Sequence, residues 1–211
     1  MHIMIKAIIF DFGNVISEYL PADIFEQLSK KSGVPVHCFE VAYSEFRTPF
    51  DGGYINRAEL YKKALKEIGM VKEAEDEALC QRLGDLDMES WSHPSEETKK
   101  WVSELKYRGF KTGVLSNMPF DFLELYGDDI EVFDMVDETV FSCDYHITKP
   151  EPEIYFKILE KLGVTPEEAV FIDDAQRNID GAERIGLKGI LFENHKQAKR
   201  ELEDILSANN T

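Results

Sequence analysis

Polar side chains that can do chemistry stand directly after apolar, strand-like segments of the sequence. Asp11 follows the run MIKAIIF. Ser116 and Asn117 follow KTGVL, and the pair Asp173–Asp174 follows AVFI. In open parallel sheets the ligand site lies outside the carboxyl ends of the strands. Two acidic groups and a hydroxyl–amide pair are therefore expected together at one edge of one sheet.

A divalent cation accounts for the acidic groups. A carboxylate at the end of a buried strand is costly unless it is solvated, paired or metal-bound. The adjacent charges of Asp173 and Asp174 repel each other unless a cation intervenes. Mg²⁺, which prefers oxygen ligands, satisfies both requirements. Taken alone, each residue also has a simpler explanation: Asp11 and Ser116 as caps of turns, and Lys149, which precedes a predicted helix near Pro152, as a surface lysine.

The segments that position these residues alternate between strand and helix. Helices are predicted from Ser95, a candidate N-cap, to Gly109, from Ala175 to about Ile185, and up to Leu206. Apolar runs predict strands at 4–10, 111–115, 169–172 and 188–192, with a weaker candidate at 138–141. This alternation predicts an α/β fold, a Rossmann-like, doubly wound parallel sheet covered by helices on both faces.

Between residues 18 and 92 the alternation disappears. Helical spacing of apolar residues covers 22–32, 36–46, 56–68 and 73–84, with Gly- and Pro-containing breaks between them. We predict a core domain of residues 1–17 and 93–211 with a helical cap, residues 18–92, inserted after the first strand.

One segment of this predicted cap, residues 46–54 (FRTPFDGGY), is predicted to be a loop because Pro49 and Gly52–Gly53 favour turns. Arg47, Asp51 or Tyr54 is a candidate for facing the cleft and contacting the substrate. A plain surface loop is an equally good interpretation of the same residues.

Composition restricts the class of protein. The 211 residues carry 24 Lys and Arg against 41 Asp and Glu, a formal net charge of −17, and 43% of them are hydrophobic. Such a chain has enough apolar material for a core and repels phosphate backbones and anionic lipids. We therefore expect neither nucleic acid nor membrane as a partner. The run Ile3–Phe10 is too short and interrupted for a signal peptide or a membrane anchor, so the default expectation is a cytoplasmic location, as a monomer or homodimer. Cys38, Cys80 and Cys143 are expected to be buried free thiols.

Four segments, in order along the chain, resemble the four motifs of the haloacid dehalogenase-like (HAD) hydrolase superfamily: IIFDFGNVI, VLSN, the dipeptide KP and FIDDAQRNIDGA. The helical insertion resembles the small α-helical cap of that family. The form Asp-Phe-Gly-Asn-Val is similar to a subgroup that includes bacterial glucose-1-phosphate phosphatases. The resemblance implies a Mg²⁺-dependent phosphatase that acts on a small phosphorylated metabolite.

The resemblance also implies a role for each residue of the motifs. Asp11 is the expected nucleophile, which forms an aspartyl-phosphate that water then hydrolyses. Its second carboxylate oxygen, the backbone carbonyl of Gly13, and Asp174 are the expected Mg²⁺ ligands, with Asp173 as a ligand or an outer-shell acceptor.

The remaining motif residues are expected to bind the substrate phosphate. Ser116 and the backbone beside Asn117 would hold phosphoryl oxygens, and Lys149 would offset charge on both Asp11 and the phosphoryl group. Phosphoryl transfer depends on alignment and charge neutralisation, which these residue types supply.

One position departs from the family pattern. Most phosphatases of this family carry a second aspartate, the general acid and base, two residues after the nucleophile, where this chain has Gly13. General acid–base catalysis typically contributes ~10²–10⁴-fold to the rate, and the loss of this aspartate removes that contribution. The loss favours a substrate with a good leaving group, such as the anomeric oxygen of a sugar phosphate. Water or a cap residue would then supply the proton.

Two other functions remain open. Gly13 is compatible with a catalytically weak relative that binds a phosphorylated ligand or a protein partner. A 2-haloacid dehalogenase would use Asp11 to displace halide from carbon, but the pair Asp173–Asp174 argues against it because that chemistry needs no divalent metal.

Overall fold

The computed structural model describes residues 4–18 and 20–208. The outermost residues of the predicted core, 1–3 and 209–211, and residue 19 of the predicted cap lie outside the described residues.

Five parallel strands form one sheet in the order β3-β2-β1-β4-β5. Their bounds are β1 Ala7–Phe10, β2 Lys111–Ser116, β3 Glu138–Phe141, β4 Ala169–Asp173 and β5 Lys188–Leu191. All four residues of the central strand β1 are fully buried. The five strands predicted from the sequence are present, although β1 begins at Ala7 rather than residue 4 and β5 ends one residue early.

Helices cover both faces of this sheet. Those after the first strand and its insertion are α7 Glu96–Tyr107, α8 Phe120–Tyr126, α9 Glu131–Met135, α10 Ser142–Tyr145, α11 Pro152–Leu162, α12 Gln176–Arg184 and α13 His195–Ala208. Short 3-10 helices lie at Gly127–Asp129 and Pro166–Glu168. Alternate residues of β1 face opposite layers, as the period of a strand requires. Ile8 and Phe10 pack with the layer of α7 and α13, and Ala7 and Ile9 with that of α11 and α12. The fold is therefore the predicted doubly wound α/β sheet.

Six helices lie between β1 and α7, and the described residues from Pro21 to Ser92 contain no strand. They are α1 Ile24–Ser32, α2 Val36–Glu45, α3 Arg47–Asp51, α4 Arg57–Glu67, α5 Val71–Ala74 and α6 Glu77–Trp91. We call this group the cap helices. Their buried side chains join the same hydrophobic cluster as one face of the sheet.

Two local predictions in this region are wrong. The segment 73–84 is not one helix: α5 ends at Ala74, and Asp76 starts α6 by accepting a hydrogen bond from the Leu79 N–H at 3.0 Å. The segment 46–54 is not a loop throughout, because it contains α3. Pro49 fits there since it lies in the first turn of α3, where the backbone N–H has no partner within the helix.

Two adjacent chain segments connect the cap helices to the sheet. Ser17 and Pro94 form an isolated antiparallel bridge. The Glu18 N–H donates to His93 O at 2.7 Å, and the Ser95 N–H donates to Ile16 O at 2.7 Å. Ser95 also caps α7, as predicted, through its hydroxyl and the Thr98 N–H. The cap helices thus leave and re-enter the α/β layer at one place, directly after β1.

Candidate active site

Three carboxylates meet at the carboxyl edge of β1 and β4. Phe10 of β1 pairs with Ile172 of β4, so the residues that follow them, Asp11 and Asp173, are neighbours. Asp174 follows at once, and one oxygen from each of the three lies within 4.8 Å of the others. Asp11 and Asp173 are buried, at 7% and 0% exposure. The register of two adjacent strands therefore produces the predicted acidic cluster.

Lys149 lies against this cluster and is itself buried. Its Nζ is 2.7 Å from Asp11 Oδ1 and 2.6 Å from Asp173 Oδ2. Burial alone lowers the pKa of Lys149, but the two carboxylates more than reverse this, and the net pKa is raised. The ammonium therefore stays protonated. It is not the surface lysine that its sequence context alone allowed.

Asn117 holds the backbone of Lys149 in place. Its Nδ2 donates to Lys149 O at 3.1 Å, and the Lys149 N–H donates to Asn117 Oδ1 at 2.7 Å. On the other side of Asn117, the Met118 N–H already donates to Ser142 Oγ at 2.8 Å. The backbone beside Asn117 was predicted to bind phosphate. The Met118 N–H of this backbone already donates to another acceptor, Ser142 Oγ.

Burial is the dominant influence on the nucleophile candidate. It raises the pKa of Asp11 to about 7, against the opposing effect of Lys149 and with a further increase from Asp173. Burial also raises the pKa of Asp174. Ionisation of Asp11 and Asp174 therefore costs free energy, and the single positive charge of Lys149 does not fully compensate for it.

The cluster has the composition of a site for a hard cation. Three carboxylates converge around a single ammonium, and no contact between Lys149 and Asp174 is among the ion pairs of the described residues. Carboxylate and carbonyl oxygens are the ligands that Mg²⁺ prefers. Asp11, Asp173 and Asp174 therefore fit a divalent metal, and Gly13, whose carbonyl is the fourth predicted ligand, lines the same cleft.

Two asparagines that the sequence analysis did not single out fix the acidic pair. Asn14 Nδ2 donates to Asp174 Oδ2 at 2.7 Å, and Asn178 Nδ2 lies 3.0 Å from both oxygens of Asp173. Asn14 has a positive φ of 56°, a conformation that asparagine tolerates better than most residues. In the sequence, the position of Asn14 in the turn cluster Asp-Phe-Gly-Asn was the feature that could have identified it.

A cleft with a volume of about 200 Å³ opens between the sheet edge and the cap helices. Its sheet-side wall includes Asp11, Ser116 and Lys149, and Ser116, which ends β2, is 3% exposed. The motif residues that we predicted to act together therefore line one cleft, with Asp173 directly behind Lys149.

The cap-side wall centres on Arg47 and Asp51 of α3. Arg47 Nε is 2.8 Å from Asp51 Oδ1, and the guanidinium lies 4.7 Å from the centre of the Tyr43 ring. Tyr43 donates its hydroxyl hydrogen bond to Asp87 Oδ1 at 2.6 Å. Of the three candidates in 46–54, Arg47 and Asp51 line the cleft. Tyr54 does not: it is 65% exposed and donates to His146 O.

Trp91 occupies the space that a side chain at position 13 would need. A Cβ built on Gly13 would lie 3.1 Å from one carbon of the Trp91 ring. The Trp91 indole is held from behind, because its Nε1 donates to Tyr43 Oη at 2.8 Å. Gly13 is not among the positive-φ glycines of the described chain. The obstacle to a side chain is therefore the indole and not the backbone.

We expect Gly13→Ala and Gly13→Asp to be destabilising through Trp91. Overpacking of this kind costs about 1–3 kcal/mol, with the larger aspartate at the upper end. In a Trp91→Ala background the cost of either substitution should fall by at least about 1 kcal/mol, since the indole is absent. Urea unfolding of the four variants of each cycle measures this coupling. Additive free energies would mean that Trp91 is not what excludes a side chain there.

The three cysteines are free and buried, as predicted. None of the helices within residues 4–18 and 20–208 is long and apolar enough to cross a membrane.

The chain matches the family model described as "Hydrolase: haloacid dehalogenase-like hydrolase" over residues 5–186. It therefore belongs to the haloacid dehalogenase-like hydrolase family. This agrees with the resemblance carried by its four motifs. The matches cover 10%, 39% and 19% of the lengths of the first three curated relatives.

One example of a relative that is similar over most of both chains is a named phosphatase. It is the sesquiterpene phosphatase astK of Aspergillus oryzae, 26% identical over 186 residues, with 88% of each chain covered.

Two solved structures share the fold. One is the HAD family enzyme bt-2542 of Bacteroides thetaiotaomicron in complex with magnesium and inorganic phosphate, with 20% identity, a TM-score of 0.66, and coverage of 88% of this chain and 93% of that one. The other is the L-2-haloacid dehalogenase of Xanthobacter autotrophicus, with 18% identity, a TM-score of 0.66, and 95% and 83% coverage. At these identities the likeness establishes the fold and leaves the reaction open.

Proposed function

We propose that this hydrolase is a Mg²⁺-dependent phosphatase that acts on a small phosphorylated metabolite through an aspartyl-phosphate on Asp11. One observation carries the proposal: the buried Asp11 carboxylate, the buried ammonium bonded to it and Asp174 line one cleft, and Asp173 completes the acidic cluster behind the ammonium. This combination permits an anionic nucleophile to approach an anionic phosphate. The phosphatase name of the full-length relative from Aspergillus oryzae supports the same class of reaction.

Asp11 performs the covalent step. Its free carboxylate oxygen attacks phosphorus while the P–O bond to the leaving group breaks. Asp11 Oδ1 accepts hydrogen bonds from the Phe12 N–H at 2.7 Å and from Lys149, so the carboxylate is oriented before substrate binds. The Ser116 hydroxyl, at the end of the adjacent strand, contacts a phosphoryl oxygen. Water then hydrolyses the aspartyl-phosphate and returns free Asp11.

Charge neutralisation comes from the chain and from the metal. Asp11, the Gly13 carbonyl and Asp174 would hold Mg²⁺, with Asp173 as a ligand or an outer-shell acceptor. When bound, the cation offsets negative charge on the phosphoryl oxygens. Lys149 offsets the same charge from the other side of Asp11.

For the substrate we propose an anomeric sugar phosphate. Gly13 supplies no proton to the leaving oxygen, and an anomeric oxygen leaves more easily than that of an ordinary alcohol. The motif form Asp-Phe-Gly-Asn-Val resembles that of bacterial glucose-1-phosphate phosphatases. The cap-side wall adds support: Arg47 is matched by two carboxylates, Asp51 and Asp87, so this wall offers no excess positive charge to a second anionic group.

Phosphate release from p-nitrophenyl phosphate, glucose 1-phosphate and glucose 6-phosphate, each with Mg²⁺ and with EDTA, tests this function. We expect release that needs Mg²⁺, and a kcat/KM for glucose 1-phosphate at least about tenfold above that for glucose 6-phosphate. Equal values for the two sugars would contradict the anomeric substrate while leaving the phosphatase in place.

Two results would replace the proposal with an alternative. No release from a broad panel of phosphate esters with Mg²⁺ would favour a binding protein. Halide release from 2-chloropropionate in EDTA would favour a dehalogenase, in which Asp11 attacks carbon.

A further inference from the structure

We propose that Asp51, on the cap helix α3, is the general acid and base that Gly13 cannot be. The inference rests on the proposed phosphatase function and assigns the proton transfer of that reaction. It starts from the cleft itself, where Gly13 has no side chain to donate a proton and the Trp91 ring packs tightly against this position.

The first argument is the set of proton donors around the cleft. Among the described residues that line it, the carboxylates are Asp11, Asp174 and Asp51. Asp11 is the nucleophile and Asp174 belongs to the metal site. Asp51 lies on the opposite wall, the side from which the leaving group must depart if the phosphate rests on Asp11.

The other candidate donors on that wall are committed elsewhere. The Tyr43 hydroxyl donates to Asp87, and burial raises the pKa of Tyr43 far above its usual value. Arg47 retains its proton because the neighbouring carboxylates raise its pKa. Asp51 differs from both in that its buried Oδ1 is paired with Arg47 Nε at 2.8 Å, while neither of its carboxyl oxygens donates a hydrogen bond to an acceptor of the described residues. Among Tyr43, Arg47 and Asp51, the geometry therefore points to Asp51 as the group that can exchange a proton with a substrate.

The second argument is that Asp51 is held firmly against the core. The Ser142 hydroxyl, in α10 beyond β3, donates to the backbone carbonyl of Asp51 at 2.5 Å. A second contact nearby joins the cap helices to the core, since Arg57 Nη1 lies 2.6 Å from Asp121 Oδ1. A general acid needs a fixed position relative to the leaving oxygen. The backbone of this carboxylate is fixed by the same core that carries the nucleophile.

Electrostatics agree with this assignment. Burial raises the pKa of Asp51 to about 6, and the facing groups are Arg47 on α3 and Lys149, which lower it, and Asp87 on α6, which raises it. A carboxyl group with such a pKa exchanges its proton close to neutral pH, where proton-transfer catalysis is most effective.

The proton is balanced over the two steps. In the first, Asp11 attacks phosphorus, the ester P–O bond breaks, and its electron pair takes the proton of the Asp51 carboxyl group to give the free alcohol. In the second, water attacks phosphorus, the P–O bond to Asp11 breaks, and the water gives a proton to the Asp51 carboxylate. Inorganic phosphate leaves, and both carboxyl groups return to their starting states.

Asp51→Asn, measured with a series of phosphate monoesters, tests the assignment. A good leaving group such as p-nitrophenolate needs no proton, whereas a sugar or alkyl oxygen does. With Mg²⁺ present, we expect kcat/KM to fall by about 10²–10³ for glucose 1-phosphate and by less than about tenfold for p-nitrophenyl phosphate. Asp51→Glu should recover part of the glucose 1-phosphate activity. In wild-type protein, kcat/KM should decrease above about pH 6 as the Asp51 carboxyl group loses its proton, and this decrease should be absent in Asp51→Asn.

Asp87→Asn is the matched control. Asp87 also faces Arg47 but does not line the cleft, so any loss there should be equal for the two substrates. Equal losses for the two substrates in Asp51→Asn, with the pH profile unchanged, would overturn the inference and leave the phosphatase intact. A wild-type protein that releases no phosphate from either ester would overturn the function and the inference together. Circular dichroism and Tm verify that the variants are folded.

Discussion

Asp11→Asn is expected to lower kcat/KM for every phosphate ester by at least about 10⁴-fold, because it replaces the attacking oxygen with an amide. The fold should survive. The amide oxygen still accepts from the Phe12 N–H and from Lys149, the two donors that Asp11 Oδ1 has now. The substitution also removes one of three clustered negative charges, one for which burial raises the pKa. We therefore expect the free energy of unfolding to change by no more than about 1 kcal/mol in EDTA.

Acid-quenched protein provides a second readout for the same residue. Wild-type protein mixed with substrate should carry a phosphoryl group on the peptide that contains Asp11, and Asp11→Asn should not. Asp180→Asn, an exposed aspartate of α12, is the control and should behave as wild type. Retention of more than about a tenth of the wild-type kcat/KM in Asp11→Asn would assign the attack to another group.

Lys149→Met is expected to have the second largest effect, on activity and on stability. Lys149 is the buried cation bonded to Asp11 and Asp173, and methionine has nearly its length without the charge. Breaking a buried ion pair by removing one partner costs several kcal/mol, here about 3 kcal/mol because Asp173 keeps the donors Asn178 and the Ala175 N–H. Activity should fall at least about 10³-fold, since the phosphoryl group and nucleophile lose the same positive charge.

The loss of stability should depend on pH. Without Lys149 the pKa of Asp11 rises further above its unfolded-state value. A carboxyl group with a raised pKa in the folded state favours folding at low pH, and this contribution is lost as pH rises toward the folded pKa. In EDTA, Lys149→Met should therefore be destabilised more at pH 8 than at pH 5.

Urea unfolding at the two pH values measures this difference. Lys161→Met, at an exposed position of α11, is the control and should cost less than about 0.5 kcal/mol at either pH. A pH-independent difference between Lys149→Met and wild type would show that packing, and not charge, is what Lys149 contributes.

Much of the sheet side of the cleft was predictable from the sequence. Apolar runs that end in Asp11, Ser116 and Asp173 identify strand ends, and parallel strands bring such ends to one edge. Lys149 was expected at the same edge because it precedes the helix predicted near Pro152, and the order of the motifs supported this prediction. Its burial could not be foreseen, because it depends on Asn117, which follows β2, holding the backbone of Lys149.

The cap side was predicted less well. Helical periodicity located helices there, but the break between α5 and α6 depends on the cap at Asp76, and α3 is a short helix in a segment rich in turn residues. Periodicity averages over several turns, so it does not register a five-residue helix or a single capping residue.

From the sequence alone it is clear which residues end β1, β2 and β4 and that position 13 has no side chain. Which group packs against Gly13 depends on the tertiary structure. The Trp91 ring reaches Gly13 across 78 positions of the chain, and Asp51 faces the cleft because Ser142, far along the sequence, holds its backbone. Local patterns report on neighbours in the chain, whereas both contacts join segments that only the packing of the cap helices on the sheet brings together.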